Sequence, residues 1–283
     1  MPEKPSTASE YSKEQVELVK ATCLYIGTIL GDYMEQAVIV GGLVPSILID
    51  QMNLPDGADS HVGTMDLDLG LTLAIFDEKR YQAITERLRA ADFSPDVNQQ
   101  GNLTRQRWKI EKTGKVTIDF LVPPTKGDDQ GGRIKDIEKD FAAVITPGLD
   151  LAFTDKVKVT LEGKTILGEK AKRDVYVCGP GAFVVLKALA FRQRGENKDA
   201  YDLYYHIRNF GNGVEDIEAA LNPLLNEKEA KEALKILRED FTGSDSVGAV
   251  RVARFLTDSI DEAIQADVAG FTRALLDLIN KED

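Results

Sequence analysis

The residue pattern with the clearest chemical potential is a pair of carboxylates, Asp66 and Asp68, separated by one leucine. The surrounding residues 65–76 are compatible with a β-strand, in which side chains two positions apart point to the same face. The opposite face carries leucines at Leu67, Leu69, Leu71 and Leu73. Folding gives no reason to place two like charges so close together, and a divalent cation relieves their repulsion most naturally. We therefore expect a metal site at the start of this strand.

A third carboxylate, Asp119, lies in another strand-like run at residues 115–122. This run could lie beside the first strand, which would bring Asp119 close to Asp66 and Asp68. Three carboxylates on neighbouring strands are the ligand set that two-metal phosphoryl transfer needs. We predict that these three aspartates hold Mg²⁺ (or Mn²⁺).

A glycine pair, Gly41 and Gly42, follows a short apolar run that indicates a buried strand. Residues 43–52 are then typical of a helix, with Pro45 in the first turn, where a missing N–H group costs little. A strand, a glycine pair and a helix N-terminus together let the backbone approach phosphates and point N–H groups at them. We expect Gly41, Gly42 and Ser46 to contact the phosphates of a nucleoside triphosphate.

These motifs resemble the nucleotidyltransferase fold of the DNA polymerase β superfamily, which combines a Gly-Gly turn, an Asp-x-Asp strand and a later single aspartate. Residues 157–163, 180–190 and 198–203 resemble, in addition, the AbiEii and MenT nucleotidyltransferase toxins, whose signature includes Lys-Asp-x-x-Asp-Leu. The likeness covers residues 36–208. Many relatives carry an arginine two residues before the motif threonine, where this chain has Val62, so no arginine role is carried over to that position.

The resemblance implies that Lys187 holds nucleotide phosphates, that Asp202 contributes directly or by orienting Lys187, and that Lys198 also serves the nucleotide. Lys187 is surrounded in sequence by apolar residues, so its ammonium needs a phosphate or a carboxylate partner unless it reaches out to solvent. Helix capping alone could explain one of the two acids Asp199 and Asp202, since negative charge is favoured near a helix N-terminus.

The resemblance also implies an activity, the transfer of a nucleoside monophosphate from a nucleoside triphosphate to an acceptor hydroxyl. Relatives with this signature include toxins of toxin–antitoxin and phage-defence systems, some of which add nucleotides to the 3′ end of tRNA. The expected partners are therefore RNA and a cognate antitoxin protein. Two alternatives stay open, transfer to a small molecule such as an aminoglycoside and nucleotide binding without turnover in a regulatory protein.

The overall charge bears on these alternatives. The chain has 283 residues and a formal net charge of −12. Such an acidic protein suits a cationic aminoglycoside better than RNA, and it argues against sequence-independent binding of long nucleic acid. A short, local basic groove is compatible with the same charge.

Location and redox state follow from the cysteines and the apolar runs. Cys23 and Cys178 are far apart in sequence and lie in apolar or loop surroundings, so we expect reduced thiols in a cytoplasmic protein. The polar N-terminus does not resemble a signal peptide, and the apolar runs are too short or too interrupted to span a bilayer. We expect no membrane association.

A basic run offers a second candidate surface. Arg105, Arg107 and Lys109 alternate onto one face of a predicted strand, where they could hold a triphosphate or an RNA backbone. Trp108 could provide a stacking platform for a base. The alternative is a solvated strand face with Trp108 in the core.

Two segments rich in turn residues, 53–63 and 126–132, are predicted to be loops. His61 in the first of them could touch a phosphate or a base, and the alternative is a solvated loop histidine. The second segment is a plausible lobe boundary.

These patterns predict an α+β protein. Its parts are a disordered tail at 1–12, a nucleotidyltransferase core with a mixed sheet at 13–178, and a helical C-terminal domain at 179–283. Strands at 153–163 and 174–178 are expected to extend the sheet. Amphipathic helices are predicted at 13–34, 78–91, 180–194, from 198 onward, and at 217–225, 228–239, 247–263 and 269–279.

Overall fold

The computed structural model describes residues 5–55, 57–72, 78–98, 100–110 and 116–281. These residues form an α+β protein, which confirms the predicted fold class. They divide into two compact units, which we call unit 1 and unit 2. Unit 1 comprises residues 13–43 and 64–178, and unit 2 comprises, among the described residues, 5–12, 44–63 and 179–281.

The strands all lie in unit 1. In chain order they are β1 (Ala37–Val40), β2 (Asp66–Leu71), β3 (Ser94–Val97), β4 (Leu103–Ile110), β5 (Val116–Val122), β6 (Ile134–Glu138), β7 (Phe141–Ile145), β8 (Lys156–Lys164) and β9 (Lys170–Cys178).

The helices are shared between the units. They are α1 (Lys13–Leu30), α2 (Val44–Leu48), α3 (Glu78–Ala90), α4 (Leu151–Thr154), α5 (Pro180–Arg194), α6 (Asn197–Asn209), α7 (Val214–Leu221), α8 (Lys228–Asp240), α9 (Val247–Thr257) and α10 (Glu262–Ile279). Helices α1, α3 and α4 belong to unit 1 and the others to unit 2.

The nine strands found among the described residues form one mixed sheet with the order β3-β4-β5-β2-β1-β9-β8, and the β6–β7 hairpin joins it through β5. Strand β2 lies between two partners of opposite direction, since it is antiparallel to β1 and parallel to β5. Strands β8 and β9 extend the sheet, as the alternation in their sequences predicts.

The core of unit 1 follows directly from the side-chain alternation of its central strands. All four residues of β1 are buried. In β5, burial alternates along the strand, with Ile118 and Phe120 fully buried and Asp119 partly exposed on the other face. Strand β2 has the same pattern, since Leu67 and Leu69 are fully buried. The acids of β2 and β5 are thereby excluded from the apolar face.

The break between α5 and α6 in unit 2 has a clear local cause. Pro180 opens α5 at a position where its missing N–H group costs nothing, and Gly195 ends the helix in the left-handed region at φ +64°. Helix α5 packs against α6, α7 and α8. The predicted limits of this helix, 180–194, are confirmed.

The predicted limits of several helices are wrong, and two of them have a clear local cause. The helix predicted at 43–52 spans only Val44–Leu48, because Gly41–Leu43 forms a separate single turn. The helix predicted at 247–263 is in fact two helices. It ends at Thr257, followed by Asp258 in the left-handed region, and Asp261 then caps α10 by accepting hydrogen bonds from two backbone N–H groups.

The segment for which a disordered tail is predicted is described from residue 5 onward. Residues 8–10 form a single 3-10 turn, and the Tyr11 ring packs edge-on against Phe255 with 5.9 Å between centroids. A buried cluster of unit 2 that includes Phe255 thus holds these residues. Residues 1–4 lie outside the described part of the chain.

The loop at 126–132 lies inside unit 1 and is not a boundary between lobes. It is followed by the β6–β7 hairpin, which the sequence patterns did not predict. Its Asp129 accepts hydrogen bonds from the backbone N–H groups of Thr125 and Lys126, as expected of a turn.

Some predictions fall on residues outside the described ranges, namely the end of the predicted strand at 73–76 and the turn at 112–115. In the described part of the chain, no helix combines the length and the apolar character needed to cross a bilayer.

Candidate functional site

The register of unit 1 brings the three predicted metal ligands together. Asp68 and Asp119 are Cα partners on the parallel strands β2 and β5, and Asp66 precedes Asp68 by two residues on the same face. One carboxylate oxygen from each of the three lies within 4.8 Å of the others, and all three side chains are partly buried. Thr64 supports the group by donating from Oγ1 to Asp66 Oδ1 at 2.9 Å. We call Asp66, Asp68 and Asp119 the acidic cluster.

Gly41 makes room for this cluster. It follows Val40, the register partner of Asp68, and has φ +72°, a region that favours glycine. A Cβ atom at Gly41 would lie 1.9 Å from Asp68 Oδ2, so the carboxylate rests directly against the backbone of the turn. Gly42 is buried in the same turn.

Arg107 is the basic neighbour of the acidic cluster. It is the register partner of Asp119 on the antiparallel strand β4, and its Nε donates to Asp119 Oδ1 at 2.6 Å. Its Nη2 donates to Asp119 Oδ2 and lies 3.8 Å from Asp66 Oδ2. The hydrogen bond with Asp119 raises the pKa of Arg107 above its ordinary value, against the effect of burial. From the sequence, Arg107 could hold a triphosphate or an RNA backbone, or lie on a solvated strand face, whereas in the structure it is paired with Asp119.

The other residues of the basic strand have partners away from the acidic cluster. Arg105 is paired with Asp136, and Lys109 Nζ lies 3.4 Å from Asp96 Oδ1. Trp108 is fully buried, so the core interpretation is confirmed and the stacking platform is wrong.

The donor set of the acidic cluster fits a hard divalent cation. Carboxylate oxygens are the ligands that Mg²⁺ and Mn²⁺ prefer. The close approach of Asp68 to the Gly41 backbone also shows that the local chain is shaped around a carboxylate. These three aspartates could therefore bind a metal ion.

Unit 2 contains a second group of predicted site residues. Lys187 on α5 is buried, with Nζ 3.1 Å from Asp199 Oδ1 and 2.7 Å from Asp202 Oδ2. Two further cations share these acids: Lys198 pairs with Asp202, and Arg194 forms a fork to Asp199 with distances of 2.6 and 2.8 Å. Lys187 does not reach out to solvent, so that alternative is wrong. We call these five residues the buried charge cluster.

The pKa directions in this cluster show that the ions stabilise each other. Burial alone would raise the pKa of Asp199, but Lys187 and Arg194 outweigh it and lower that pKa to about 2. Burial likewise opposes the charged form of Lys187, and Asp202 and Asp199 raise its pKa in spite of it. Asp199 and Lys187 are therefore held in their charged forms, whereas burial lowers the pKa of Lys198 in spite of its pairing with Asp202.

His61 connects the insert 44–63 to this cluster. Its Nε2 lies 2.9 Å from Asp202 Oδ1, while Nδ1 accepts from the Gly63 N–H at 3.1 Å and lies 3.0 Å from Ser46 Oγ. Because Nδ1 accepts, the ring proton is on Nε2 and is donated to Asp202. Burial, with Lys198, lowers the pKa of His61 to about 4, so the ring is neutral at pH 7.

The expectation of a solvated loop histidine is therefore wrong. The partner of His61 could not be read from the sequence, because Asp202 is 141 residues away. A general signal did exist, since two acids on the buried face of one helix require basic or hydrogen-bonding partners from elsewhere in the chain.

The structure thus gathers the predicted site residues into two groups. Gly41, Gly42 and the acidic cluster belong to unit 1, whereas Ser46, Lys187, Lys198 and Asp202 belong to unit 2. The cysteines Cys23 and Cys178 are buried and not paired in a disulfide.

Comparison with family models and with curated proteins returns no match. Among solved structures, the chain is similar to an antigenic nucleotidyltransferase-like protein from Paracoccidioides brasiliensis. The two are 18% identical, the match covers 80% of this chain and 94% of that one, and the TM-score is 0.40. A functional assignment has to rest on the side chains of this protein and not on that likeness.

Proposed function

We propose that this protein is a metal-dependent nucleotidyltransferase that transfers a nucleoside monophosphate from a nucleoside triphosphate to an acceptor hydroxyl. The observation that carries the proposal is the convergence of Asp66, Asp68 and Asp119, with one oxygen of each within 4.8 Å of the others. Like charges on directly opposed strand positions destabilise a sheet, so a cation is the natural reason for keeping this arrangement.

A bound divalent cation would activate the acceptor hydroxyl and neutralise charge on the triphosphate. Within the chain, the register of β2 and β5 fixes Asp68 and Asp119 side by side, and Thr64 orients Asp66. Gly41 and Gly42 carry no side chains of their own, and in this proposal their backbone N–H groups contact the phosphates. The reaction needs positioning and charge rather than a histidine or cysteine nucleophile.

In unit 2, we assign Lys187 to the nucleotide phosphates, with Lys198 and Ser46 as further contacts. The distance of 2.7 Å from Lys187 Nζ to Asp202 supports a role for Asp202 in orienting that lysine. His61 would in turn fix Asp202 and Ser46 through its two ring nitrogens.

The acceptor and the biological role are taken from the AbiEii and MenT resemblance. It supports RNA, at the 3′ end of tRNA, as the acceptor, and a toxin of a toxin–antitoxin or phage-defence system with a cognate antitoxin. It also supports Mg²⁺ as the cation, while the reduced cysteines expected from the sequence support the cytoplasm as the location.

The test is a transfer assay with purified protein, Mg²⁺, total tRNA and each labelled nucleoside triphosphate in turn. The control is the Asp66→Ala variant. Label that enters RNA only with the intact protein supports the proposal and identifies the nucleotide. If no triphosphate labels RNA, the tRNA acceptor is wrong.

A second candidate acceptor is a cationic small molecule, and the net charge of −12 favours it. An aminoglycoside should be included as acceptor in a parallel reaction. Label that enters the aminoglycoside and not RNA would replace the RNA proposal while keeping the transferase.

A further inference from the structure

Arg107 forms a two-bond fork with one member of the acidic cluster. Its guanidinium engages both oxygens of Asp119, from Nε to Oδ1 at 2.6 Å and from Nη2 to Oδ2. The Arg107 side chain is only 14% exposed, so this fork is largely shielded from water. A two-bond fork between a guanidinium and a carboxylate is the strongest form of such a pair.

The charges make Arg107 a competitor of a metal ion. One guanidinium is shared by two carboxylates, because Nη2 also lies 3.8 Å from Asp66 Oδ2. A cation that binds Asp119 would share the same oxygens and repel the guanidinium. Arg107 and a divalent cation therefore oppose each other at Asp119.

We infer that Arg107 is a displaceable counter-ion of the metal site: it holds Asp119 when no cation is bound and releases it when a divalent cation binds. The inference rests on the proposed function, since it takes the acidic cluster to be a metal site. We do not assign this counter-ion role to the other basic residues of β4, because Arg105 pairs with Asp136 and Lys109 pairs with Asp96.

The exchange also gives Arg107 a second role. A released guanidinium retains its planar fork of donors, which matches phosphate oxygens as well as it matches a carboxylate. When a triphosphate binds together with its cation, the cation becomes the new partner of Asp119. The phosphate oxygens become the new partners of Arg107. Arg107 is thus a positioning residue that favours the cation and the triphosphate together over the cation alone.

The experiment is a titration of the full-length protein with Mn²⁺. Binding is measured by electron paramagnetic resonance, as the loss of the signal of free Mn²⁺. Arg107→Gln should bind Mn²⁺ at least about fivefold more tightly than the wild type, the lower end of typical coupling between sites. Arg105→Gln removes the same charge from the same strand and should change the affinity little. Arg107→Lys keeps the charge without the fork and should lie between the wild type and Arg107→Gln.

A second readout covers the case in which Arg107→Gln folds poorly. Mn²⁺ should raise the melting temperature of Arg107→Gln and Arg107→Lys more than that of the wild type, since less of the binding energy is used to displace the side chain. Equal or weaker Mn²⁺ binding in both variants would overturn the role of Arg107 and leave the metal site intact. If the wild type and Asp66→Ala titrate alike, the metal site itself fails and the inference falls with it.

Discussion

Asp68 and Asp119 are directly opposed on neighbouring parallel strands, and both lie on the face of the sheet that the buried leucines of β2 avoid. Opposed like charges weaken a strand pair. Arg107 offsets part of this repulsion through its fork with Asp119, and the pair is explained best by what it binds.

The first prediction concerns Asp68→Asn, which removes one of these charges while keeping the shape of the side chain. The free energy of unfolding should stay the same or rise by up to about 1 kcal/mol, because a repulsion is lost. Mn²⁺ affinity should fall at least about tenfold, because one charged ligand is lost. Thermal melting and Mn²⁺ titration measure the two effects. The control is Asp136→Asn, an exposed acid of unit 1 paired with Arg105, which should leave Mn²⁺ binding unchanged.

The second prediction compares Gly41→Ala with Gly101→Ala. Both glycines are in unit 1 and have a positive φ, +72° and +81°, so both variants lose about 1 to 2 kcal/mol to backbone strain. Only Gly41→Ala adds a contact of 1.9 Å with Asp68 Oδ2, whereas Gly101 has open space around it. Gly41→Ala should therefore be the less stable variant in urea unfolding, and only it should lose Mn²⁺ binding. Equal effects of the two substitutions would show that the Gly41 turn does not shape the acidic cluster.

The third prediction separates two roles of Lys187, stabilising the fold by pairing with buried acids and binding the substrate. Lys187→Met should lower the free energy of unfolding by about 3 to 5 kcal/mol, because Asp199 and Asp202 are left buried with less positive charge around them. The control Lys231→Met changes an exposed lysine of α8 and should have an effect within about 0.5 kcal/mol. A Lys187→Met protein that is as stable as the wild type but inactive would mean that the lysine acts on the substrate and does not stabilise the fold.

The fourth prediction is a loss of stability between pH 6.5 and pH 4. Burial lowers the pKa of both histidines of the chain, that of His61 to about 4 and that of His206 to about 3. In this range the unfolded chain binds protons that the folded chain does not, so the free energy of unfolding falls as the pH falls. Each histidine contributes up to about 3 kcal/mol at pH 4.

Urea unfolding from pH 7 to pH 4.5 measures this slope. His206 packs against the rings of Phe183 and Phe210, with centroid distances of 4.5 and 5.2 Å. His206→Phe should therefore keep the packing and remove about half of the slope. A slope that is the same in His206→Phe and in the wild type would assign the pH dependence to other groups.

The fifth prediction concerns the packing of unit 2. A Cβ atom at Gly181 would lie 2.3 Å from the backbone oxygen of Ala220, because α5 and α7 approach closely there. Gly181→Ala should lower the free energy of unfolding by about 1 to 3 kcal/mol, the usual range for overpacking. Gly270→Ala, in α10 with no atom near the new methyl group, should instead raise it by about 0.5 to 1 kcal/mol. A neutral Gly181→Ala would contradict the close approach of the two helices.

The parts of the fold that the sequence predicted well are those with local causes. Alternation of aspartate and leucine sets the faces of β2 whatever lies around it. Pro180 and Gly195 fix the ends of α5 through their own backbone preferences. The break at Asp258 was missed because a left-handed residue other than glycine leaves a weak signal in sequence.

The parts that were missed depend on contacts between distant residues. The fork between Arg107 and Asp119 follows from the register of β4 on β5, and a shift by one residue would have moved Arg107 to the other face. Likewise, the bonds of His61 depend on the folding of residues 44–63 into unit 2, although both neighbouring segments belong to unit 1. Side-chain chemistry could suggest these partners, but only the tertiary structure selects among them.

The insertion of residues 44–63 between two strands of unit 1 has a consequence for synthesis on the ribosome. His61 emerges 141 residues before its partner Asp202, a delay on the order of ten seconds at ordinary translation rates. During that delay the insert has none of its α6 contacts, while the strands on either side of it can already pair. Unit 1 can therefore begin to fold during translation, whereas unit 2 has to wait until α6 has left the ribosome. A gene cut between residues 178 and 179 would separate the insert from the rest of unit 2 and should yield an unstable C-terminal fragment.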